Sequence, residues 1–359
     1  MRFSATDAIS PAIEHTKRQL FGPFRLGQWM RLALVGLLAG ELSSSGCKPN
    51  NFSNLTRGSE NFPKGSLSGI DPVLIAGLVA VVVVAAFVLG ILLMYISSVM
   101  RFILFDSVLA KECHIRAGWS RRQGPGFRYF LWRLLYALAM FGGLIVLLGI
   151  PAAFALAMGW LSDPKQHVAP LVLGGIVLFF AIMAFLIAMA VIYVLTKDFV
   201  VPQMALENIG ALEGWSRLWA MMKTEKSSYA GYIGMKIVLA IVAGLIFGIL
   251  GFIVVLIILI PAAGVAVAAV LGGKAAGLGW TAGTITLAVV AGCVLLAVFL
   301  LVTALISVPV IVFFPAYSIY FFAARYQALS AVLYPGPPAP PVPPGTSLPP
   351  LPPTPAPAG

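Results

Sequence analysis

Charge is scarce in this chain, and acidic charge scarcest of all. Only 10% of its 359 residues are charged, with 12 Asp and Glu against 23 Lys and Arg. Soluble domains carry about 25% charged residues. With 60% hydrophobic residues and a mean hydropathy of +0.99, a soluble core of this size could not hide so many apolar runs. The bilayer is the solvent that fits this composition. Cysteine is nearly absent as well. Cys47, Cys113 and Cys293 fall in a polar loop, a basic loop and an apolar run, so no pair predicts a disulfide. Ser45-Gly46-Cys47 lacks the flanks of a cleavage site, because about 30 residues precede the apolar segment and Ser44 stands where a large apolar residue is required. No cleaved signal is expected.

Catalytic chemistry is missing too. No Asp, Glu or His lies centrally in any apolar run, where intramembrane catalysis or ion coupling would place one. His15, His114 and His167 are expected on both sides of the membrane, which excludes a metal triad. Lys274 follows two glycines, but position 268 is Ala, so there is no phosphate loop. No Gly-x-Ser-x-Gly occurs. No catalytic, cofactor-binding or metal residue is therefore expected, and the chain reads as something other than an enzyme. The net charge of +11 points away from nucleic acid, because it lacks a groove-sized basic stripe. It matches the basic residues that gather in cytoplasmic loops.

What the sequence does contain is a series of long apolar segments. Residues 1–28 form a basic cytoplasmic segment. A membrane domain follows over 29–334, with apolar stretches at 29–42, 72–100, 129–160, 170–195, 229–271 and 284–308. This predicts an all-α polytopic membrane protein with about six spans. A turn near Gly251 would split 229–271 and give seven, but no polar turn residue stands there. Pro151 and Pro261 are candidate helix breaks, and Pro309 and Pro315 are expected to end the last span. In the six-span arrangement 18 of the 23 basic residues lie inside. That places both termini in the cytoplasm of a bacterial inner membrane. Arg133 and Lys236 sit at the cytoplasmic ends of their spans and are expected to snorkel. Gly36 with Gly40, and Gly244 with Gly248, have the spacing of close helix contacts.

The chain also repeats itself. Ala117-Gly118-Trp119-Ser120-Arg121 matches Glu213-Gly214-Trp215-Ser216-Arg217 at four of five positions, and Ile150-Pro151-Ala152-Ala153 recurs as Ile260-Pro261-Ala262-Ala263. This predicts two units, about 101–196 and 197–308. Each would open on a basic amphipathic helix lying along the cytoplasmic surface. In the second, Ala205, Ile209, Leu212, Trp215, Trp219 and Met222 follow one another at spacings of 4, 3, 3, 4 and 3, which puts them on one stripe. Trp119, Trp215 and Trp219 are expected to sit at the headgroup boundary, with Arg121 and Arg217 toward anionic lipid. Membrane lipids and unspecified protein partners are the expected ligands. A transporter or permease for an apolar or amphipathic substrate is the alternative, with its site near the two prolines. The tail, 335–359, holds 13 prolines in 25 residues and should be an extended, disordered spacer.

The stretch from Val201 to Arg217, with Pro202, Glu207 and Leu212 followed by Lys223, resembles the post-span motif of the membrane-anchor domain of glycerophosphodiester phosphodiesterases. It is also similar to related uncharacterised bacterial six-helix membrane proteins. Trp215-Ser216 reverses that motif's usual Ser-Trp order. The resemblance implies an all-α six-span domain whose own role is not defined; in those enzymes catalysis belongs to a separate soluble barrel. No barrel fits in a chain committed to the membrane up to residue 334.

Overall fold

The computed structural model describes residues 4–22, 25–41, 72–160, 165–275 and 282–334. The polar loop with Cys47, most of the turn expected after 161, and the proline-rich tail lie outside these residues. All regular structure among the described residues is helical: α1 (Ile9–Phe21), α2 (Leu26–Ala39), α3 (Pro72–Ala110), α4 (Ile115–Ala157) and α5 (Val168–Leu195). A π-helical turn (Thr196–Val200) leads into α6 (Val201–Glu207), followed by α7 (Ala211–Thr224), α8 (Lys226–Ala275), α9 (Ala282–Ala323) and α10 (Gln327–Leu333). Five of these helical stretches are long and apolar enough to cross a membrane, and α2 is a shorter apolar helix. The protein is an all-α polytopic membrane protein.

Helix length explains the shape. Hydrocarbon offers peptide groups no partner but each other, so an apolar run stays helical until polar residues end it. Helices α3, α4, α8 and α9 run for 39, 43, 50 and 42 residues. At ~1.5 Å per residue these reach about 60–75 Å, twice a hydrocarbon layer of ~30 Å. Each long helix therefore has two parts. The outer part is exposed on nearly every face, as along 77–90 of α3 and 286–303 of α9. The inner part enters one shared core that contains Phe102, Tyr129, Phe199, Tyr232, Val308 and Phe321. Helices α1, α2, α6, α7 and α10 complete that core, which lies wholly at one end of the bundle.

Several expectations need correction. The basic stretch after residue 114 is no separate surface helix, because α4 carries Trp119 and Arg121 in the same unbroken rod as the following span. Pro151 and Pro261 lie inside α4 and α8, and Pro309 and Pro315 inside α9. None breaks its helix, because each removes a single backbone donor while the flanking bonds persist. As the lack of a polar turn residue led one to expect, no turn falls near Gly251, and α8 runs through it. Of the glycine pairs, only Gly36 makes a close helix contact. A Cβ there would lie 2.5 Å from Ile311 Cγ2, whereas Gly244 and Gly248 have nothing within 4 Å, and Gly40 serves as a left-handed cap with φ +80°.

Gly36→Ala should therefore destabilise the protein by about 1–3 kcal/mol through overpacking. Adding Ile311→Ala should return part of that loss, as read from melting of the detergent-solubilised protein. An unchanged Gly36→Ala melting temperature would show that α2 and α9 do not pack as described.

The two ends of the described chain meet in the core. His15 on α1 donates from Nε2 to the Val108 carbonyl at 2.8 Å, and its Nδ1 accepts from the Tyr320 hydroxyl at 3.2 Å. Both ring nitrogens are used by the neutral form, and burial lowers the pKa from 6.5. Below about pH 6.5 the unfolded chain takes up a proton that the folded chain resists, so unfolding is favoured. Stability should be fully present above that pH and fall as pH drops toward the depressed folded value. His15→Gln should flatten this part of the stability–pH curve. A slope equal to the parent's would mean that His15 is not held neutral.

A candidate site of buried charge where the spans meet the core

The core does not begin at an apolar seam. It begins at a layer of charge. Arg101 of α3 donates from Nη1 to Glu41 Oε1 at 2.9 Å and from Nη2 to the Ala39 carbonyl at 2.5 Å, which caps the end of α2. The other Glu41 oxygen accepts from Lys197. Glu41 and Arg101 are both almost fully buried, with side chains 2% and 4% exposed.

The next residue, Asp198, accepts from the Tyr232 hydroxyl at 2.9 Å and from Lys236 of α8. Tyr232 stacks flat on Tyr317 of α9, with ring centres 5.2 Å apart. The π-helical turn makes this arrangement possible. Its extra residue per turn changes the register of α5, and Lys197 and Asp198 reach carboxylate and ammonium partners on different helices. Thr196, at the start of the turn, accepts from the Trp215 ring N–H at 3.1 Å.

Arg133 of α4 lies at the same level. It donates from Nη1 to Ser97 Oγ at 2.9 Å and meets no carboxylate among the described residues. Sequence reasoning assigned Arg133 and Lys236 to snorkelling; in the structure both bond inward. It also missed Glu41 and Asp198 as site residues. The available signal was that each charge stands at the end of an apolar run, with both signs represented.

The tryptophans separate. Residues 203–222 do not form one helix, because Asn208 adopts a left-handed backbone with φ 56° between α6 and α7. The inward face of α7 is Ala211, Gly214 and Leu218, so the expected stripe is rotated. Trp215 is half-buried and stands 6.2 Å from the Trp132 ring, whereas Trp219 and Leu212 are exposed. Trp119 packs edge-on to Tyr95 of α3. Arg217 pairs with Glu207 and with Glu213, and Arg121 is exposed. Trp215→Ser should cost about 1–3 kcal/mol for the lost burial and hydrogen bond. Trp219→Ser should stay within about 0.5 kcal/mol in detergent. Equal losses in melting experiments would contradict the rotated face.

The glycines of the two repeated strings sit alike. A Cβ on Gly118 would lie 3.2 Å from Ile103 Cγ1, and one on Gly214 would lie 2.8 Å from Val200 Cγ1. Each lets its helix close onto the end of the preceding long helix. Among the described residues, no group of His, Cys, Asp or Glu is placed to hold a metal. Cys113 is buried, and burial pushes its thiol up, which suits a structural role. An apolar cleft of 390 Å³ lies between α8 and α9, lined by Val255, Leu259, Leu296 and Phe299. It reaches the helical turn before Pro261, and Pro151 does not line it.

Buried charge at the root of long, exposed apolar helices defines a class: multi-pass membrane proteins whose helices are fixed at one end by an ionic core. The chain belongs to a family of unknown function, DUF7544, which matches residues 3–332. No curated protein matches it. No solved structure does either.

Proposed function

We propose that this is a non-enzymatic protein of a bacterial inner membrane, with its core and both termini in the cytoplasm, that organises lipid or protein partners around its spans. The observation that carries this reading is the exposure of the spans. Along α8, residues such as Ile241, Leu245 and Ile249 are more than half exposed, and Gly244 and Gly248 stand beside empty space. Helices held at one end and only partly covered at the other offer faces to lipid or to the spans of another protein. The orientation is supported by charge: Lys165 and Lys274 are the described basic residues at the far ends of the helices, while the others gather around the core. The family resemblance drawn from residues 201–217 supports the same reading, since in those enzymes catalysis belongs to a separate soluble barrel and not to the membrane domain.

A photo-crosslinking residue at position 245, activated in intact cells, tests the proposal. Reproducible adducts to lipid or to one protein are expected. Absence of any adduct at 241, 245 and 249 would count against it.

One observation favours a second reading, transport. The Lys236–Asp198–Tyr232 cluster lies at the base of the spans, where an intramembrane ionisable group often marks a solute path. Solute flux in proteoliposomes that disappears in a folded Lys236→Met variant would replace the organising role with transport.

A further inference from the structure

Among the described residues, the charge layer does not balance. Arg101, Arg133, Lys197 and Lys236 bring four cations to the level where the exposed spans meet the core, and Glu41 and Asp198 bring two carboxylates. Lys236 is matched by Asp198, and Glu41 is shared between Arg101 and Lys197. Among the described residues, Arg133 meets only serine hydroxyls. Its Nη1 faces Ser97 Oγ at 2.9 Å and Ser98 Oγ at 3.5 Å. Its Nε and Nη2 make no hydrogen bond to a described residue and stay accessible. Deeper in, Arg101 Nε is buried without a hydrogen-bond partner. The Tyr193 ring centre lies 6.0 Å from that of Tyr136, which follows Arg133 by three residues on α4. Uncompensated cations at a membrane boundary are costly, and an anion that arrives with the membrane would remove that cost.

We propose that Arg133, with Tyr193 and the Arg101–Lys197 pair behind it, forms a binding site for the phosphodiester of an anionic phospholipid. This rests on the reading of the core as the cytoplasmic, lipid-contacting end of the protein. Three features select this ligand class. A guanidinium with two free donors on one edge suits a phosphate oxygen pair. The net excess of two positive charges favours a lipid with net negative charge over a zwitterion. The outer part of α4 beyond Arg133 exposes Leu138, Phe141 and Ile145, an apolar surface at membrane depth that acyl chains would use and a free phosphate would not.

The test is the melting shift of the full-length protein in mild detergent on addition of dioleoyl-phosphatidylglycerol, dioleoyl-phosphatidylcholine or inorganic phosphate. Phosphatidylglycerol should raise the midpoint by several degrees, and the other two by much less. Arg133→Gln breaks no ion pair among the described residues, so it should fold, with at least half of the phosphatidylglycerol shift lost. Tyr193→Phe should fold and lose a smaller part. Equal shifts from the two lipids, an equal shift from phosphate alone, or an Arg133→Gln protein that keeps the whole shift would overturn the site. Crosslinks from position 245 do not depend on Arg133, so the organising role could stand if this site fails.

Discussion

Glu41→Gln should be among the most damaging single substitutions in the protein, with a loss of about 3–5 kcal/mol, the range for breaking a buried ion pair by removing one partner. The carboxylate is 2% exposed and serves two cations from two other helices, Arg101 and Lys197. Removing its charge leaves both cations buried without a counter-ion, and Arg101 already has one unpartnered nitrogen. The amide keeps the size and one acceptor, so the expected loss is electrostatic. A triple replacement, Glu41→Leu with Arg101→Leu and Lys197→Met, should recover most of the stability, because well-packed apolar groups often do as well as a buried ion cluster. Chemical denaturation in mixed micelles would measure both proteins. A Glu41→Gln loss below about 1 kcal/mol would mean that water or another anion reaches the pair.

Phe199→Ala should cost a similar amount, about 3–5 kcal/mol, by opening a cavity. Phe199 is fully buried, and its ring centre lies 4.9 Å from Tyr232, 5.1 Å from Phe322, 5.4 Å from Tyr229 and 5.9 Å from Phe321. One side chain from the π-helical turn thus holds α8 and α9 together. It also adjoins Asp198 in sequence, so a collapse around the missing ring would draw Asp198 away from Tyr232 and Lys236. The loss should exceed that of Phe321→Leu, which keeps most of the volume. If Phe199→Ala and Phe321→Leu melt together, the π-helical turn is not the point at which these helices are joined.

The five long helices were legible because each is an apolar run bounded by charge, and a membrane leaves such a run one conformation. Prolines misled for the same reason. In water, Pro151 or Pro261 would end a helix; in hydrocarbon the freed carbonyl has nowhere better to turn. Helix α2 was legible as apolar, though at 14 residues and about 21 Å it is shorter than the hydrocarbon layer. The charge layer was not legible as a site. Glu41 lies 60 residues from Arg101 and 156 from Lys197, and only the fold brings them to one depth. Read one at a time, Arg133 and Lys236 look like ordinary basic anchors at the ends of spans. The stripe through Trp215 and Trp219 was misread because periodicity assumes an unbroken helix, and the left-handed Asn208 resets the phase between Ala205 and Leu212.

The contact between α1 and α9 has a consequence for synthesis. The Tyr317 hydroxyl reaches back to the Ala5 carbonyl, 312 residues earlier in the chain. At roughly 5–20 residues per second, the ribosome needs on the order of 15–60 s to make the segment between them. Helix α1 and the half-finished charge layer must wait through that interval while the intervening spans enter the bilayer one by one. Insertion therefore precedes closure. Chains that stop before α9 would hold their spans in the membrane with Gly36, Tyr232 and His15 deprived of their covering helix, a state that membrane quality-control proteases are well placed to recognise.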